Sequence, residues 1–241
     1  MSLEPTHLDL RSRSLRWLAR RRVRRWSAAA GVGGETGRER MEEVFTSILH
    51  DNAWGSQESV SGPGSTRART AALVGDLEAL VVRLGIRSLL DAPCGDFHWI
   101  GEVADAVESY TGVDVVAQLV AENERRHGTE RRRFLHLDLI RDPLPQADLI
   151  LCRDCLVHFS FADAFRALAN FRASGARYLL TTTFVGERAN VDIPTGAWRP
   201  INLELPPFSL PSPAESLDER CSLSGGLYAD KRLALWRLAE L

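Results

Sequence analysis

The sequence has few of the features that mark membrane, secreted or metal-rich proteins. Its 241 residues include four cysteines, too few for a disulfide framework in a chain of this length, so we expect reduced thiols. There is no apolar stretch long enough to span a membrane and no N-terminal pattern typical of a secretory signal. We therefore expect a cytoplasmic protein without a membrane span. A hydrophobic content of 44% is enough for one domain with a substantial core.

Lysine is nearly absent, and the arginines that replace it are unevenly distributed. Lys231 is the only lysine among 30 basic residues. Residues 1–40 contain ten arginines and four acidic residues, which leaves 20 basic and 28 acidic residues in the rest of the chain. Between these arginines, apolar residues recur at helical spacing. The sequence therefore predicts a basic amphipathic helix and a flexible linker over residues 1–37, ahead of a mildly acidic domain over residues 38–241.

The predicted N-terminal helix is compatible with several roles. Its apolar stripe can pack on the body of the protein or on a second copy, which would give a homodimer, and this is the interpretation we favour. Its arginines can instead bind nucleic acid or an anionic membrane surface, or form an organelle-targeting leader.

Short apolar runs alternate with helical stretches along the predicted domain. Helices are expected at residues 38–50 and from about residue 66, before the first run. The apolar runs cover residues 86–91, 109–114, 133–138, 147–152 and 177–184, and a final alternating run covers residues 232–238. Strands that alternate with helices favour a doubly wound, mostly parallel sheet with helices on both faces. We expect the last strand to be antiparallel and to lie at one edge.

Three of the predicted strands end on an aspartate. Asp91, Asp114 and Asp138 follow one another at nearly equal intervals. Ligands of open α/β sheets bind outside the carboxyl ends of the strands, so we expect the three carboxylates to face one crevice. A single such aspartate is explained equally well as a helix cap.

The turn after the first strand, DAPCGDF at residues 91–97, narrows the choice of ligand. A dinucleotide site needs several glycines, so that the backbone can approach a pyrophosphate. Here Gly95 is the only glycine, and Asp96 would repel a phosphate at the start of the next helix. The turn therefore favours a nucleotide-like ligand that is cationic and has no phosphate. S-adenosylmethionine has these properties, since it carries an ammonium, a sulfonium, a ribose diol and an adenine.

The same turn resembles the first motif of the class I S-adenosylmethionine-dependent methyltransferases, with Pro-Cys-Gly-Asp where many members have Gly-x-Gly-x-Gly. The resemblance runs from about residue 50 to the end. It includes WGSQESVSGPGS and WRPINLELPPFSLP, which are similar to segments of a methyltransferase subgroup. It implies a Rossmann-like sheet, here with an N-terminal helical extension, and transfer of a methyl group from S-adenosylmethionine.

The resemblance also implies contacts to the cofactor. Asp91 would orient its methionine part through the Gly95 loop, and Asp96 would reach its ammonium. Asp114 would accept hydrogen bonds from the ribose, and Asp138 would bind the adenine. The implied cofactor-binding residues are Asp91, Pro93, Gly95, Asp96, Asp114, Asp138, Leu139 and Arg153.

The segment after the fourth strand, CRDCLVHFS, supplies the candidate catalytic residues. Methyl transfer to a hydroxyl requires a base, and His158 suits that role because its ordinary pKa is about 6.5. Asp154 would orient the imidazole or bind the substrate. The alternative for His158 is a semi-buried histidine without a chemical role. We expect the acceptor to be a hydroxyl of a sugar or of a secondary metabolite.

Two polar segments are candidates for substrate contacts. One is the loop of residues 54–65, which is rich in glycine and serine and would fold over the cofactor as a lid. The other is the long segment after the fifth strand. The candidate residues are Trp54, Glu58, Ser61, Glu187, Asn190 and Arg199.

Other functions remain open at this point. Cys94, Cys152 and Cys155 are chemically able to bind zinc, but one C-x2-C pair is weak evidence, and we predict no metal. An RNA or protein methyltransferase would use the N-terminal arginines, and salt-dependent RNA binding would distinguish it. A cofactor-binding subunit without catalytic activity is a third possibility, and a dehydrogenase a more distant one.

Overall fold

The computed structural model describes residues 37–241, so the basic helix predicted nearer the N-terminus lies outside the described residues. The described part has five α-helices. They are α1 (Gly37–His50), α2 (Arg67–Arg83), α3 (Gly101–Asp105), α4 (Ala117–His127) and α5 (Phe161–Ala173). The helices expected at residues 38–50 and from residue 66 are both present. None of the helices in residues 37–241 is long and apolar enough to cross a membrane.

The strands form one sheet of seven in the order β3-β2-β1-β4-β5-β7-β6. They are β1 (Ser88–Asp91), β2 (Ser109–Asp114), β3 (Arg132–His136), β4 (Leu149–Cys152), β5 (Tyr178–Phe184), β6 (Glu215–Asp218) and β7 (Lys231–Arg237). The first five strands pair in parallel, and β7 is antiparallel to both of its neighbours. The predicted α/β class and mostly parallel sheet are confirmed.

Both faces of the sheet are covered, and the strand sequences explain why. Successive side chains of a strand point to opposite faces. Leu89 accordingly packs in a core with α2 and α3, whereas its neighbour Leu90 packs in a second core with α5. Both leucines are almost fully buried. An apolar run without polar alternation is therefore what a strand covered on both faces requires.

The antiparallel end of the sheet differs from the prediction. The last strand, β7, is antiparallel as expected, but it lies between β5 and β6 and not at the edge. The edge strand is β6, with the sequence ESLD and alternating half-buried and exposed side chains. Short polar edge strands carry no apolar pattern, because they have little core to face.

The neighbours β1 and β4 define where a ligand can bind. From β1 the chain continues through β2 to β3 on one side, whereas β4 and β5 lie on the other side. The loops after β1 and β4 therefore leave in opposite directions, and a crevice opens between them at the carboxyl ends of the strands.

Candidate active site

The crevice holds a cavity to which all three strand-end aspartates contribute. Asp91, Asp114 and Asp138 line it, together with side chains from α1 and from the loops after β1 and β4. Each of the three carboxylates belongs to a residue that is at most 6% exposed. The predicted convergence of these acids at one edge of the sheet is therefore present.

Asp114 joins the end of β2 to the loop after β1. Its Oδ2 accepts a hydrogen bond from the backbone N–H of Gly95 at 3.1 Å, and its Oδ1 accepts one from Val116 at 2.9 Å. Gly95 has a φ of +53°, and a Cβ at this position would lie 2.2 Å from Ser61 Oγ. Glycine adopts this left-handed conformation without steric cost, and any larger residue would require Ser61 to move. Burial raises the pKa of Asp114 to about 6, although these backbone hydrogen bonds oppose the shift.

Asp91 is the last residue of β1, at the same edge of the sheet. The Tyr110 hydroxyl donates a hydrogen bond to its Oδ2 at 2.7 Å. Burial raises the pKa of the Asp91 carboxyl to about 7, against the opposing effect of that hydrogen bond. Asp138 is buried too, and its Oδ1 accepts a hydrogen bond from the backbone of Ile140 at 3.0 Å. Leu139 and Pro93 line the cavity beside these acids.

Asp96 has a different position from the one expected. We call residues 54–65 the strap. The Oδ1 of Asp96 accepts hydrogen bonds from Ser59 Oγ and Ser61 Oγ, each at 3.0 Å, and its Oδ2 accepts one from the backbone of Val60 at 3.0 Å. Asp96 does not line the cavity. The expectation that it faces a ligand ammonium is therefore corrected: both of its oxygens hold the strap.

The strap covers the cavity as the lid prediction proposed, but not every residue of it faces inward. Trp54, Val60 and Ser61 line the cavity. Glu58 does not, because its Oε1 accepts a hydrogen bond from the backbone of Arg67 at 2.8 Å and lies 2.9 Å from His98 Nε2. Glu58 thus fixes the strap to the start of α2 and to the loop after β1.

Four charged side chains next to the cavity form what we call the buried quartet: Arg153, Asp154, Glu219 and Lys231. Lys231 Nζ lies 2.6 Å from Asp154 Oδ2 and 3.0 Å from Glu219 Oε2. Arg153 donates to the same Glu219 oxygen at 2.8 Å. Burial raises the pKa of Asp154, but the Lys231 and Arg153 cations outweigh it and set the pKa at about 2. Asp154 is therefore ionised, and it lines the cavity with Arg153.

His158 also lines the cavity, in a single 3-10 turn after β4. Its Nδ1 lies 2.9 Å from the backbone oxygen of Ala197, and since a carbonyl only accepts, Nδ1 carries the proton. Burial lowers the pKa of the imidazole, so His158 is neutral near pH 7. Within residues 37–241, Nε2 has no hydrogen-bond partner. The orienting group is thus the Ala197 carbonyl and not, as expected, Asp154.

The segment after β5 does not supply cavity side chains. Asn190 donates to the backbone oxygens of residues 202 and 206, and Arg199 donates to those of Leu156 and Val191. Glu187 is exposed. None of the three lines the cavity. The expectation that these three residues contact the substrate is therefore corrected. Asn190 and Arg199 instead hold the segment after β5 in place.

The cavity residues that the sequence analysis missed include one face of α1. Met41, Phe45 and Leu49 recur every four residues, and all three line the cavity. That spacing predicts a shared helix face, but not where the face packs. The cysteines Cys94, Cys152 and Cys155 are buried free thiols. In the described part of the chain, no group of three or more metal-ligating side chains is placed to hold an ion.

The fold of this chain is similar to that of solved methyltransferases. No protein-family model matches the sequence, and the curated proteins include no match. The 1,6-didemethyltoxoflavin-N1-methyltransferase of Burkholderia thailandensis, solved with S-adenosylhomocysteine, is 19% identical, with 86% of this chain and 92% of that chain covered at a TM-score of 0.60. The N-methyltransferase NodS of Bradyrhizobium japonicum is 14% identical, with 70% and 96% covered at a TM-score of 0.52. This chain has the Rossmann-like fold of class I S-adenosylmethionine-dependent methyltransferases.

Proposed function

We propose that this protein transfers the methyl group of S-adenosylmethionine to a hydroxyl of a small molecule. The observation that carries the proposal is the set of three buried carboxylates around one cavity at the carboxyl ends of β1, β2 and β3. The likeness of the fold to two S-adenosylmethionine-dependent enzymes supports it. Carboxylates accept hydrogen bonds from hydroxyl and ammonium groups and repel phosphate, which suits this cofactor.

The cavity residues fit the parts of the cofactor. Asp114 would hold the ribose hydroxyls, and Asp138 with Leu139 would hold the adenine. Asp91 and Pro93 would position the methionine part through the Gly95 turn, and Arg153 would contact its carboxylate. When bound, S-adenosylmethionine supplies a methyl group made electrophilic by the attached sulfonium.

The chain's own residues then prepare the acceptor. His158 holds its proton on Nδ1, so Nε2 accepts the proton of the acceptor hydroxyl. Asp154 is ionised and accepts a second hydrogen bond, which orients the acceptor. The strap and α1 exclude water from the reacting groups. A positioned general base contributes about 10²- to 10⁴-fold in rate, and alignment contributes more.

Calorimetry on the full chain tests the cofactor part of this proposal. We expect S-adenosylmethionine and S-adenosylhomocysteine to bind with a stoichiometry of one, and NADH not to bind. His158→Gln should keep that binding and lower the release of S-adenosylhomocysteine with a hydroxylated acceptor by about 10²-fold or more. Failure to bind either cofactor form would overturn the proposal. Binding without turnover over a broad acceptor panel would favour a cofactor-binding subunit instead.

A nitrogen acceptor is the second candidate, because both solved structures are named as N-methyltransferases. Mass spectrometry of the methylated product distinguishes an O-methyl from an N-methyl group. We also propose a cytoplasmic location and a small-molecule partner. Homodimer formation and RNA binding through the N-terminal arginines remain secondary proposals, and RNA affinity lost on deletion of residues 1–30 would support the latter.

A further inference from the structure

One side of the cavity, next to His158, consists of apolar and aromatic side chains. We call Phe45, Leu49, Trp54, Val60 and Phe159 the apolar wall, and all five line the cavity. The Trp54 ring centroid lies 5.1 Å from that of His158, and Phe45 and Phe159 lie 6.1 Å apart. Trp54 therefore packs beside the histidine that the proposed function uses as the base, and Phe159 follows that histidine in the chain.

Polar partners are scarce on this side. Ser61 Oγ donates to Asp96, and the Arg153 guanidinium donates to Glu219 and to the backbone oxygen of Gly64. Within residues 37–241, no hydrogen bond is found for three side-chain atoms near His158 in the cavity lining: Trp54 Nε1, His158 Nε2 and Asp154 Oδ1. A sugar ring buries four or more hydroxyls, and each one left without a partner opposes binding. This side of the cavity matches an acceptor with an apolar body and few polar groups.

We propose that the acceptor is a planar aromatic ring that carries the reacting hydroxyl, that is, a phenol. The ring lies against the apolar wall beside Trp54, and the hydroxyl faces His158 Nε2. This inference rests on the proposed function and replaces the sugar that the sequence analysis included among the acceptors. A second donor next to the reacting hydroxyl would meet Asp154 Oδ1.

The acidity of a phenol supports the assignment. Burial lowers the pKa of His158, so its neutral imidazole is a weak base. A phenol, with a pKa of about 10 as in tyrosine, loses its proton to a weak base more readily than an aliphatic hydroxyl does.

The step balances with the groups named. The phenolic O–H bond breaks and its proton passes to His158 Nε2. The oxygen forms a bond to the methyl carbon, while the carbon–sulfur bond breaks and leaves its electron pair on sulfur as a neutral thioether. The imidazolium then releases the proton to solvent.

Binding to the full chain saturated with S-adenosylhomocysteine tests the inference without turnover. The probes are 2-naphthol and methyl α-glucoside, measured by calorimetry. We expect 2-naphthol to bind at least about tenfold more tightly than the glucoside, and Trp54→Ala to weaken its binding by about tenfold, as loss of a stacked aromatic predicts. Trp54→Phe, which keeps a ring, should restore most of the affinity.

The matched control is Trp198→Ala. Trp198 is 38% exposed, packs against Tyr228 and does not line the cavity, so its loss should leave 2-naphthol binding unchanged. Equal affinity for the glucoside, or 2-naphthol binding that is insensitive to Trp54→Ala, would overturn the phenol assignment. If S-adenosylhomocysteine binds and 2-naphthol does not, this inference fails and the proposed function stands. If S-adenosylhomocysteine does not bind, both fail.

Discussion

The two halves of the cavity are built from different parts of the chain. The half at β1, β2 and β3 consists of strand ends and the tight turns that follow them. Asp91 and Asp114 end buried strands, and Asp138 lies two residues after β3. The half at β4 is completed by α1 and by the strap, which are outside the sheet. The strap is also tied to the loop after β1 through Asp96. The sheet thus provides the half proposed for the cofactor, and segments added to it shape the half proposed for the acceptor.

The carboxylates of the two halves also differ in charge state. Burial raises the pKa of Asp91 to about 7 and that of Asp114 to about 6, and no cation balances that burial effectively. Asp154 is half-buried, and Lys231 and Arg153 bring its pKa down to about 2. The pKa values of carboxylates around one cavity are therefore shifted in opposite directions, and the cations of the buried quartet account for the difference.

The largest expected effect comes from breaking the buried quartet. Lys231→Met removes one of the two cations that Asp154 and Glu219 share, and leaves Arg153 as the other. Removing one partner of a buried ion pair costs about 3–5 kcal/mol, and we expect the free energy of unfolding to fall by that amount in urea denaturation. Arg83→Met is the control, because the Arg83–Glu215 pair is exposed and such pairs contribute less than about 1 kcal/mol. A loss below about 1 kcal/mol for Lys231→Met would show that the quartet does not hold the β4 half together.

The next largest effect concerns the half proposed for the cofactor. Asp114→Asn removes the charge that accepts hydrogen bonds from Gly95 and Val116. We expect the Kd for S-adenosylhomocysteine to rise roughly 10- to 100-fold, the range for hydrogen bonds to charged groups. Asp76→Asn, in a surface ion pair with Arg220, should leave that Kd unchanged. If both variants raised the Kd equally, Asp114 would not be a specific contact of the cofactor.

How much of the site is predictable from the sequence differs between the halves. A short apolar run indicates both a strand and its end, so the pattern alone places Asp91, Asp114 and Asp138 at one edge of the sheet. Asp96 illustrates the limit, since an acid after a tight turn has the same sequence whether it faces a ligand or holds a loop. The strap that decides between these roles lies more than 30 residues away.

The acceptor half is less predictable for a related reason. The helical spacing of Phe45 and Leu49 indicates a shared face, but the position of that face at the cavity depends on tertiary contacts. The segment with Asn190 and Arg199 has no hydrophobic periodicity, so the sequence does not indicate whether its polar side chains point toward the cavity or away from it. Both of these residues bind backbone oxygens instead.

The pH dependence of stability sharpens the contrast in charge state. Because burial raises the pKa of Asp114, the folded protein holds a proton that the unfolded chain has lost, and stability falls as pH rises from about 4 through 6. His158 contributes the opposite sign, since burial lowers its pKa. The quantity to measure is therefore the difference in the free energy of unfolding between the variant and the wild type. We expect Asp114→Asn to gain stability relative to wild type between about pH 4 and 7, by at most about 1.4 kcal/mol per pH unit. A flat difference in urea denaturation across this range would contradict the raised pKa.

The smallest expected effect tests where the acceptor half ends. Glu187 follows β5, is exposed and does not line the cavity. Glu187→Ala should therefore change the free energy of unfolding by no more than about 0.5 kcal/mol and leave the affinities for S-adenosylhomocysteine and 2-naphthol within about twofold. Trp54→Ala, measured under the same conditions, provides the contrasting result. If Glu187→Ala weakened 2-naphthol binding as strongly as Trp54→Ala, the segment after β5 would have to close over the acceptor. The acceptor half would then include that segment in addition to α1, the strap and the loop after β4.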